Sequence, residues 1–407
     1  MSNAGTDGAQ ERWRALTRLP MILEALTLSE ENPVVRRLAQ AFGDEFTARE
    51  RRVGEPAYRS RRLSFVSGGE IMLHDDAVVA VLLRVAPSAD ASGSVDLSEW
   101  MTGTSNDATL DDLKNVLDAA PRFADIGTPY FAIGGGYLRA NFRNGQGWKD
   151  AGNLLSLTVT VDKPGLACRP EDDECPTCSD LLVRGANDAL DVEGTVNSLT
   201  TALIAGALTE DTHWVRLADL RPLHDSGLMA RVETQLTCTT CRRIICFTLF
   251  RDASPAFLYR VMNDAMRHPL EAIPPVEQWG DDDRIAEDRN AMHYVDHEPG
   301  AWFLVEQKET LYLDARYVVS SMADDSALIR LDEVELEAYR ANGHEYLSRL
   351  AGRINQGSPH RDTSEFYPRN LYRSDDAKSY RAAVSTAIVN HTWLARQRAP
   401  RAEEEGQ

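Results

Sequence analysis

The sequence predicts an α+β protein in two or three domains, and three observations carry that reading. The chain has 407 residues, more than one compact core usually organises, so domains of about 100–200 residues are expected. Apolar stretches of helical period are interspersed with short β-branched runs, so neither element type dominates. All six cysteines fall in the middle third of the chain. The expected division is an N-terminal α+β domain over residues 1–161, a cysteine-rich module over 162–275 and a C-terminal α+β domain over 276–407.

Residues 8–52 read as two helices. Asn32 is an N-cap and Pro33 is tolerated at the first helical position. Val34, Val35, Leu38, Ala39 and Phe42 then recur at helical spacing. The arginine-rich stretch 49–62, broken by Glu50 and Glu55, reads as a solvated surface. Residues 78–85 are near-continuously apolar and β-branched, as in a buried strand. Residues 86–106, rich in Ser, Ala, Gly and Asp, read as a loop. Thr109 and Asp112 form a capping pair for a helix with Leu110, Leu113, Val116 and Leu117 on one face. Residues 130–133 and 137–142 flank Gly134-Gly135-Gly136 as a hairpin, and 154–161 alternate as a further strand.

In the middle segment the pattern predicts a helix near 192–208, strands at 213–217 and 244–250, and a helix over 257–268. Pro269, Pro274, Pro275 and the run Asp281-Asp282-Asp283 mark a boundary. A helix over 284–295, a hairpin of 302–306 with 310–316 and a strand at 327–331 follow. Asp332 and Glu335 form a capping box for a helix whose apolar face carries Leu336, Tyr339, Leu347, Leu350 and Ile354. A last helix carries Tyr380, Val384, Ala387 and Ile388, and the charged tail 400–407 is expected to fray.

Charge narrows the partners. Lys and Arg number 44 against 63 Asp and Glu, a net charge of −19. Such a surface repels phosphate backbones and anionic lipid, so no nucleic acid and no membrane partner is expected, and a basic protein partner is. No stretch approaches the ~20 apolar residues that span a bilayer. Residues 1–7 lack the basic start and apolar run of a signal peptide. A cytoplasmic chain is expected, with reduced cysteines available to metal.

Four of those cysteines form two C-x-x-C pairs, Cys175-Pro176-Thr177-Cys178 and Cys238-Thr239-Thr240-Cys241. Each turn lets two sulfurs reach one ion, and two turns complete a tetrahedral sulfur site that suits Zn²⁺. The pairs resemble the knuckles of zinc-ribbon proteins. That resemblance covers two short segments and implies a central zinc-ribbon-like module, not an activity. The 59 residues between the pairs exceed a compact ribbon, so a helical insertion must fold out between the knuckles. Four sulfurs close the coordination sphere, which makes the expected zinc structural. Cys168 is an alternative ligand, and Cys246 reads as core. A redox role is disfavoured, because no βαβ pattern sets Cys175 at a helix start and the run Glu171-Asp172-Asp173-Glu174 would raise a thiol pKa.

Other chemistry is thin. His293, Asp296 and His297 share one face of a helix if the helix extends so far, but no H-E-x-x-H frame is present. His74 with Asp75 and Asp76 offers acid–base groups, although Asp before a strand is more simply a turn. No Gly-rich phosphate frame and no nucleophile elbow occurs. The expected function is a zinc-stabilised protein-interaction protein, of immunity or regulatory type, that binds a basic partner. The alternative is an enzyme whose His/Asp site lies apart from the zinc. The oligomeric state is not legible in the sequence.

Overall fold

The computed structural model describes residues 18–87, 93–124, 127–143, 147–320, 323–390 and 394–396. The expectations for the N-terminal stretch and the tail 400–407 lie outside the described residues. The fold is mixed α+β with antiparallel sheets. The chain gathers into two compact units, one of Met1–Thr209, Leu236–Phe247 and Pro255–His268, the other of Glu210–Gln235, Thr248–Ser254 and Pro269–Gln407.

The first unit opens with α1 (Leu19–Ala25) and α2 (Pro33–Phe42), and the Asn32 side chain caps α2 by accepting from Val34 N. Strands β1 (Phe46–Val53), β2 (Tyr58–Phe65), β3 (Gly69–His74) and β4 (Ala77–Arg84) form one antiparallel meander. After α3 (Leu97–Trp100) and α4 (Leu110–Leu117), strands β5 (Arg122–Ala124), β6 (Thr128–Ile133), β7 (Gly136–Phe142) and β8 (Leu154–Thr160) form a second. Pairing of β4 with β8 joins them into one eight-stranded sheet.

Strand alternation gives this sheet two unlike faces. One face buries Leu63, Ile71, Val81, Leu83, Leu138 and Val159 in a continuous core with residues of α1, α2 and α4. Phe42 presses on this sheet, and a Cβ on Gly69 would stand 2.0 Å from its ring. That contact is why a glycine opens β3. The cross-strand register puts Arg51, Tyr58, Arg62, Glu70, His74, Arg84 and Arg139 on the opposite face. Its apolar residues include a small patch of Met72, Ala80 and Leu82.

Helix α5 (Val192–Ile204) follows, then β9 (Leu208–Glu210), α6 (Leu217–Asp225), β10 (Arg231–Cys238), β11 (Ile244–Phe250), β12 (Ala256–Arg260) and α7 (Met262–Ala265). The four strands form a sheet of order β12-β11-β10-β9. The β10–β11 turn, which carries Cys238 and Cys241, belongs to the first unit.

In the second unit, α8 (Asp282–Asn290) precedes the meander β13 (His293–Glu298), β14 (Trp302–Gln307), β15 (Thr310–Ser320) and β16 (Ala323–Arg330). Helix α9 (Glu333–Gln356) starts from the expected Asp332–Glu335 capping box and packs Leu347, Leu350 and Ile354 on one face of the sheet. Helix α10 (Ala377–Ile388) packs Val384 and Ala387 beside Val305 and Leu328 in a second cluster.

Several segments differ from their sequence pattern. The part of 8–52 beyond α2 is strand β1, whose residues are mostly exposed, so no apolar alternation announces it. The stretch 86–106 contains α3, capped by Asp96, while residues 88–92 lie outside the described ones. Residues 213–217 lead into α6, because Leu217, Leu220 and Leu223 bury at helical spacing. Residues 257–268 begin as β12: Phe257 and Tyr259 alternate inward, and Phe257 pairs with Glu55 through two 2.7 Å backbone hydrogen bonds. The helix expected over 284–295 ends at Asn290, and His293 opens a strand.

Asp314 of β15 is buried and accepts from the Tyr372 hydroxyl at 3.2 Å. Burial raises its carboxyl above the ordinary carboxylate range. A group raised in the folded state stabilises the fold below its unfolded pKa, and that contribution is lost as pH rises through the folded value. Asp314→Asn is therefore expected to raise stability at neutral pH by about 1 kcal/mol, with no gain below about pH 4. Urea midpoints of both proteins across that range check it. An Asn variant equally stabilised in acid would remove the explanation.

Candidate metal centre

Two short turns bring four sulfurs together. The first follows a 3-10 turn at Pro170–Glu174: Cys175 N donates to Asp172 O at 3.0 Å and Ser179 N to Cys175 O at 3.1 Å. The second is the β10–β11 reversal, where Cys238 N donates to Arg243 O at 2.9 Å and Arg242 N to Cys238 O at 3.0 Å. Arg242 takes a left-handed φ of 65°, which lets the chain reverse there.

The Sγ atoms of Cys175, Cys178, Cys238 and Cys241 all lie within 4.8 Å of one another, and all four residues are buried. Cys175 and Cys238 are 3.9 Å apart, and Cys178 and Cys241 3.5 Å. A tetrahedron with metal–sulfur bonds near 2.3 Å has edges of about 3.8 Å, so the cluster has the size of a four-sulfur metal site. It can hold a metal ion. The turns meet position for position: Thr177 and Thr240, the third residue of each, touch through their hydroxyls at 2.7 Å on the exposed rim. The repeated third-position threonine was the signal of this pairing in the sequence.

None of the six cysteines, all among the described residues, is joined in a disulfide. Cys178 and Cys241 titrate as a pair: their shared hydrogen bond holds Cys241 down, to about 4, and pushes Cys178 up. Cys168 stands outside the four-sulfur cluster, and burial pushes its thiol up to about 12. Cys246 lies in a small apolar cluster with Ile244 and Ala265.

One ion pair flanks both turns. Arg243, two residues after Cys241, donates to Asp173 Oδ1 at 2.9 Å, and Asp173 lies two residues before Cys175. Both side chains are 2% exposed. The same guanidinium lies 3.5 Å from Cys178 Sγ and 3.9 Å from the centroid of the Tyr259 ring. The Tyr259 hydroxyl donates to Cys178 O at 2.6 Å. Burial works against the charge on Arg243, but Cys178 and Asp173 outweigh it and its pKa is raised. Burial likewise works against Asp173, but His74, Arg243 and Tyr58 hold it below the usual carboxylate range. Tyr58 OH stands 2.8 Å from Asp173 Oδ1 and His74 Nε2 2.9 Å from Oδ2.

Each carboxylate of the acidic run has its own arginine, and Asp172 and Asp173 still help to raise the Cys168 thiol. Glu171 pairs with Arg139, Asp172 with Arg169 at 2.7 Å, Asp173 with Arg243, and Glu174 with Arg62 at 2.7 Å. Arg51 donates to the carbonyls of Asp173 and Ser179 and pairs with Asp180. The arginine-rich stretch 49–62 is therefore more than solvated surface: Arg51 and Arg62 seat the first cysteine turn on the sheet.

The other sequence candidates do not assemble in the same way. Asp75 and Asp76 form the β3–β4 turn with φ of 46° and 69°, and the partner of His74 is Asp173. His293, Asp296 and His297 are on β13, not on a helix, and turn to different partners. His293 reaches Asp288 O at 2.7 Å, Asp296 reaches His344 at 2.8 Å, and His297 reaches Tyr294 OH at 2.9 Å. His293 lines an open cavity of about 310 Å³ whose charged walls include Asp219, Arg284, Asp288 and Arg396. Arg284 there is already paired with Asp219 at 3.0 Å and Asp288 at 3.5 Å.

No helix among the described residues is long and apolar enough to cross a membrane. No protein-family model, curated protein or solved structure matches the chain.

The buried pair makes a graded prediction. Asp173→Asn leaves the Arg243 charge without its carboxylate and is expected to cost about 3–5 kcal/mol. Tyr58→Phe removes one hydrogen bond to a buried acceptor that keeps His74 and Arg243, and is expected to cost about 1 kcal/mol. Urea unfolding of the two variants reads the difference directly, and equal costs would mean that the ion pair does not organise the centre.

Proposed function

We propose that Cys175, Cys178, Cys238 and Cys241 hold one zinc ion in a closed structural site, forming a zinc-ribbon-like module at the centre of a cytoplasmic protein-interaction protein. One observation carries the metal reading: four buried sulfurs at tetrahedral spacing, supplied by two C-x-x-C turns. All-thiolate tetrahedral sites suit zinc rather than the oxygen-seeking Mg²⁺ or Ca²⁺. Four sulfurs leave no position for water or substrate, so the ion would crosslink the turns rather than activate a reactant. Four thiolates around a divalent ion carry a net −2, and the Arg243 guanidinium beside Cys178 offsets part of it.

The interaction reading rests on charge. Many arginines are paired with carboxylates of the same chain, which leaves the excess acid of a −19 protein to face solvent. Such a surface steers toward a basic protein. An immunity or regulatory protein that neutralises a basic partner is the concrete form of this reading. An enzyme acting through His74 or His293 has less support, because neither histidine joins the carboxylates that neighbour it in sequence.

Elemental mass spectrometry of the native chain is expected to find about one zinc, and Cys238→Ser to lose it and to unfold at a lower urea concentration. A native chain that holds no metal, or one that holds iron, would refute the zinc assignment. For the partner, affinity capture at about 0.15 M ionic strength is expected to retain a basic protein that elutes as salt rises. Retention of nothing, or of acidic proteins alone, would end the interaction reading.

A further inference from the structure

The arginine-bearing face of the eight-stranded sheet is covered by a segment with almost no apolar grip on it. Residues 168–180 contribute no side chain to the apolar patch of Met72, Ala80 and Leu82 on that face. Their buried residues are Asp172, Asp173, Cys175 and Cys178. Charge pairs, hydrogen bonds and the cysteine turn hold the segment down: Arg139 to Glu171, Arg62 to Glu174, Arg51 to Asp180, and Tyr58 and His74 to Asp173. Partly exposed ion pairs are individually weak, so the anchors that remain are the sulfur cluster and the buried Asp173–Arg243 pair that flanks it. The two halves of the cluster are not equivalent. Cys238 and Cys241 belong to a strand reversal with its own backbone hydrogen bonds, whereas Cys175 and Cys178 belong to the irregular segment.

We propose that residues 168–180 are a metal-held cover over a surface that binds carboxylate-rich polypeptide, and that loss of the metal uncovers it. The inference rests on the metal reading above. The face already shows which chemistry it takes, since it grips a Glu-Asp-Asp-Glu run in cis. Arg62 and Arg139 each hold one glutamate, and Tyr58 and His74 supply hydrogen-bonding groups to the aspartate between them. Arg49 stands opposite Arg62 in the β1–β2 register and extends the row toward the sheet edge. When the cover lifts, Arg51, Arg62 and Arg139 each lose a carboxylate partner, while Arg62 and Arg84 keep Glu70. An occupant must carry a denser run of carboxylates than the cover does, because the cover stays tethered and competes at high effective concentration.

The full-length chain, with its metal content measured before and after extraction by a chelator, tests this. A glutamate-specific protease is expected to cut after Glu171 and Glu174 at least about tenfold faster in the metal-free chain, with far-UV circular dichroism retained. Fluorescein-labelled poly-L-glutamate is expected to bind the metal-free chain at least about tenfold more tightly than the loaded one, and to be released by salt. Arg49→Gln combined with Arg51→Gln should weaken that binding by about threefold or more. Continued protection after metal loss, unfolding of the whole chain, or no binding of poly-L-glutamate would each overturn the proposal. So would an oligonucleotide of equal charge that binds more tightly. A chain that never carried metal removes both readings; one that carries it and stays covered without it removes only this one.

Discussion

The contact on which the centre depends is the buried ion pair between Asp173 and Arg243. Each partner lies two residues from a cysteine, on opposite turns, so forming the pair sets the two turns against each other. Each also reaches outward. Asp173 is held by Tyr58 of β2 and His74 of β3, and its carbonyl by Arg51 of β1. Arg243 lies against Tyr259 of β12, whose hydroxyl holds the Cys178 carbonyl. A buried pair is weak evidence of net stability, since desolvating two charges opposes their attraction. Its value here is registration: with both charges buried, a turn displaced by a few ångströms would strand one of them.

The choice of cation follows from the same requirement. The chain has 39 arginines and five lysines. Arginine presents a planar fork that can serve several acceptors at once, as Arg62 does between Glu70 and Glu174 and Arg51 does among two carbonyls and Asp180. A lysine at either place would supply a point charge without the fork. Net charge is therefore a poor guide to local chemistry in this chain. An acidic protein overall, it contains a sheet face that carries Arg49, Arg51, Arg62, Arg84 and Arg139.

What the sequence revealed, and what it hid, divides along physical lines. The cysteine turns were legible because C-x-x-C is a local signal: the spacing itself puts two sulfurs on one side of a turn. Both capping boxes, Thr109 with Asp112 and Asp332 with Glu335, were legible for the same reason. The strand β1 was not, since an edge strand of Thr, Arg and Glu has no apolar alternation. Nor were the partners of the acidic run, which come from residues 62, 139 and 243 and meet it only through the fold. Tyr58 and His74 are neighbours across the sheet, their rings 4.5 Å apart, but sixteen positions apart in sequence. His293 and His297 were misread for a subtler reason. An i, i+4 pair shares a face on a helix and also on a regular strand, so spacing alone cannot choose between them, and the irregular register after Tyr294 alters even the strand geometry.

The position-for-position meeting of the two turns bears on covalent continuity. The chain before Cys175 leads into one half of the cluster and the chain after Cys241 follows the other, with α5, β9, α6 and β10 between. Near Asp188 the backbone takes a left-handed φ of 63° in an exposed turn. A single break there would leave each fragment with its own pair of sulfurs. An ion held by all four would then bridge two polypeptides, beside the Asp173–Arg243 pair that also joins them.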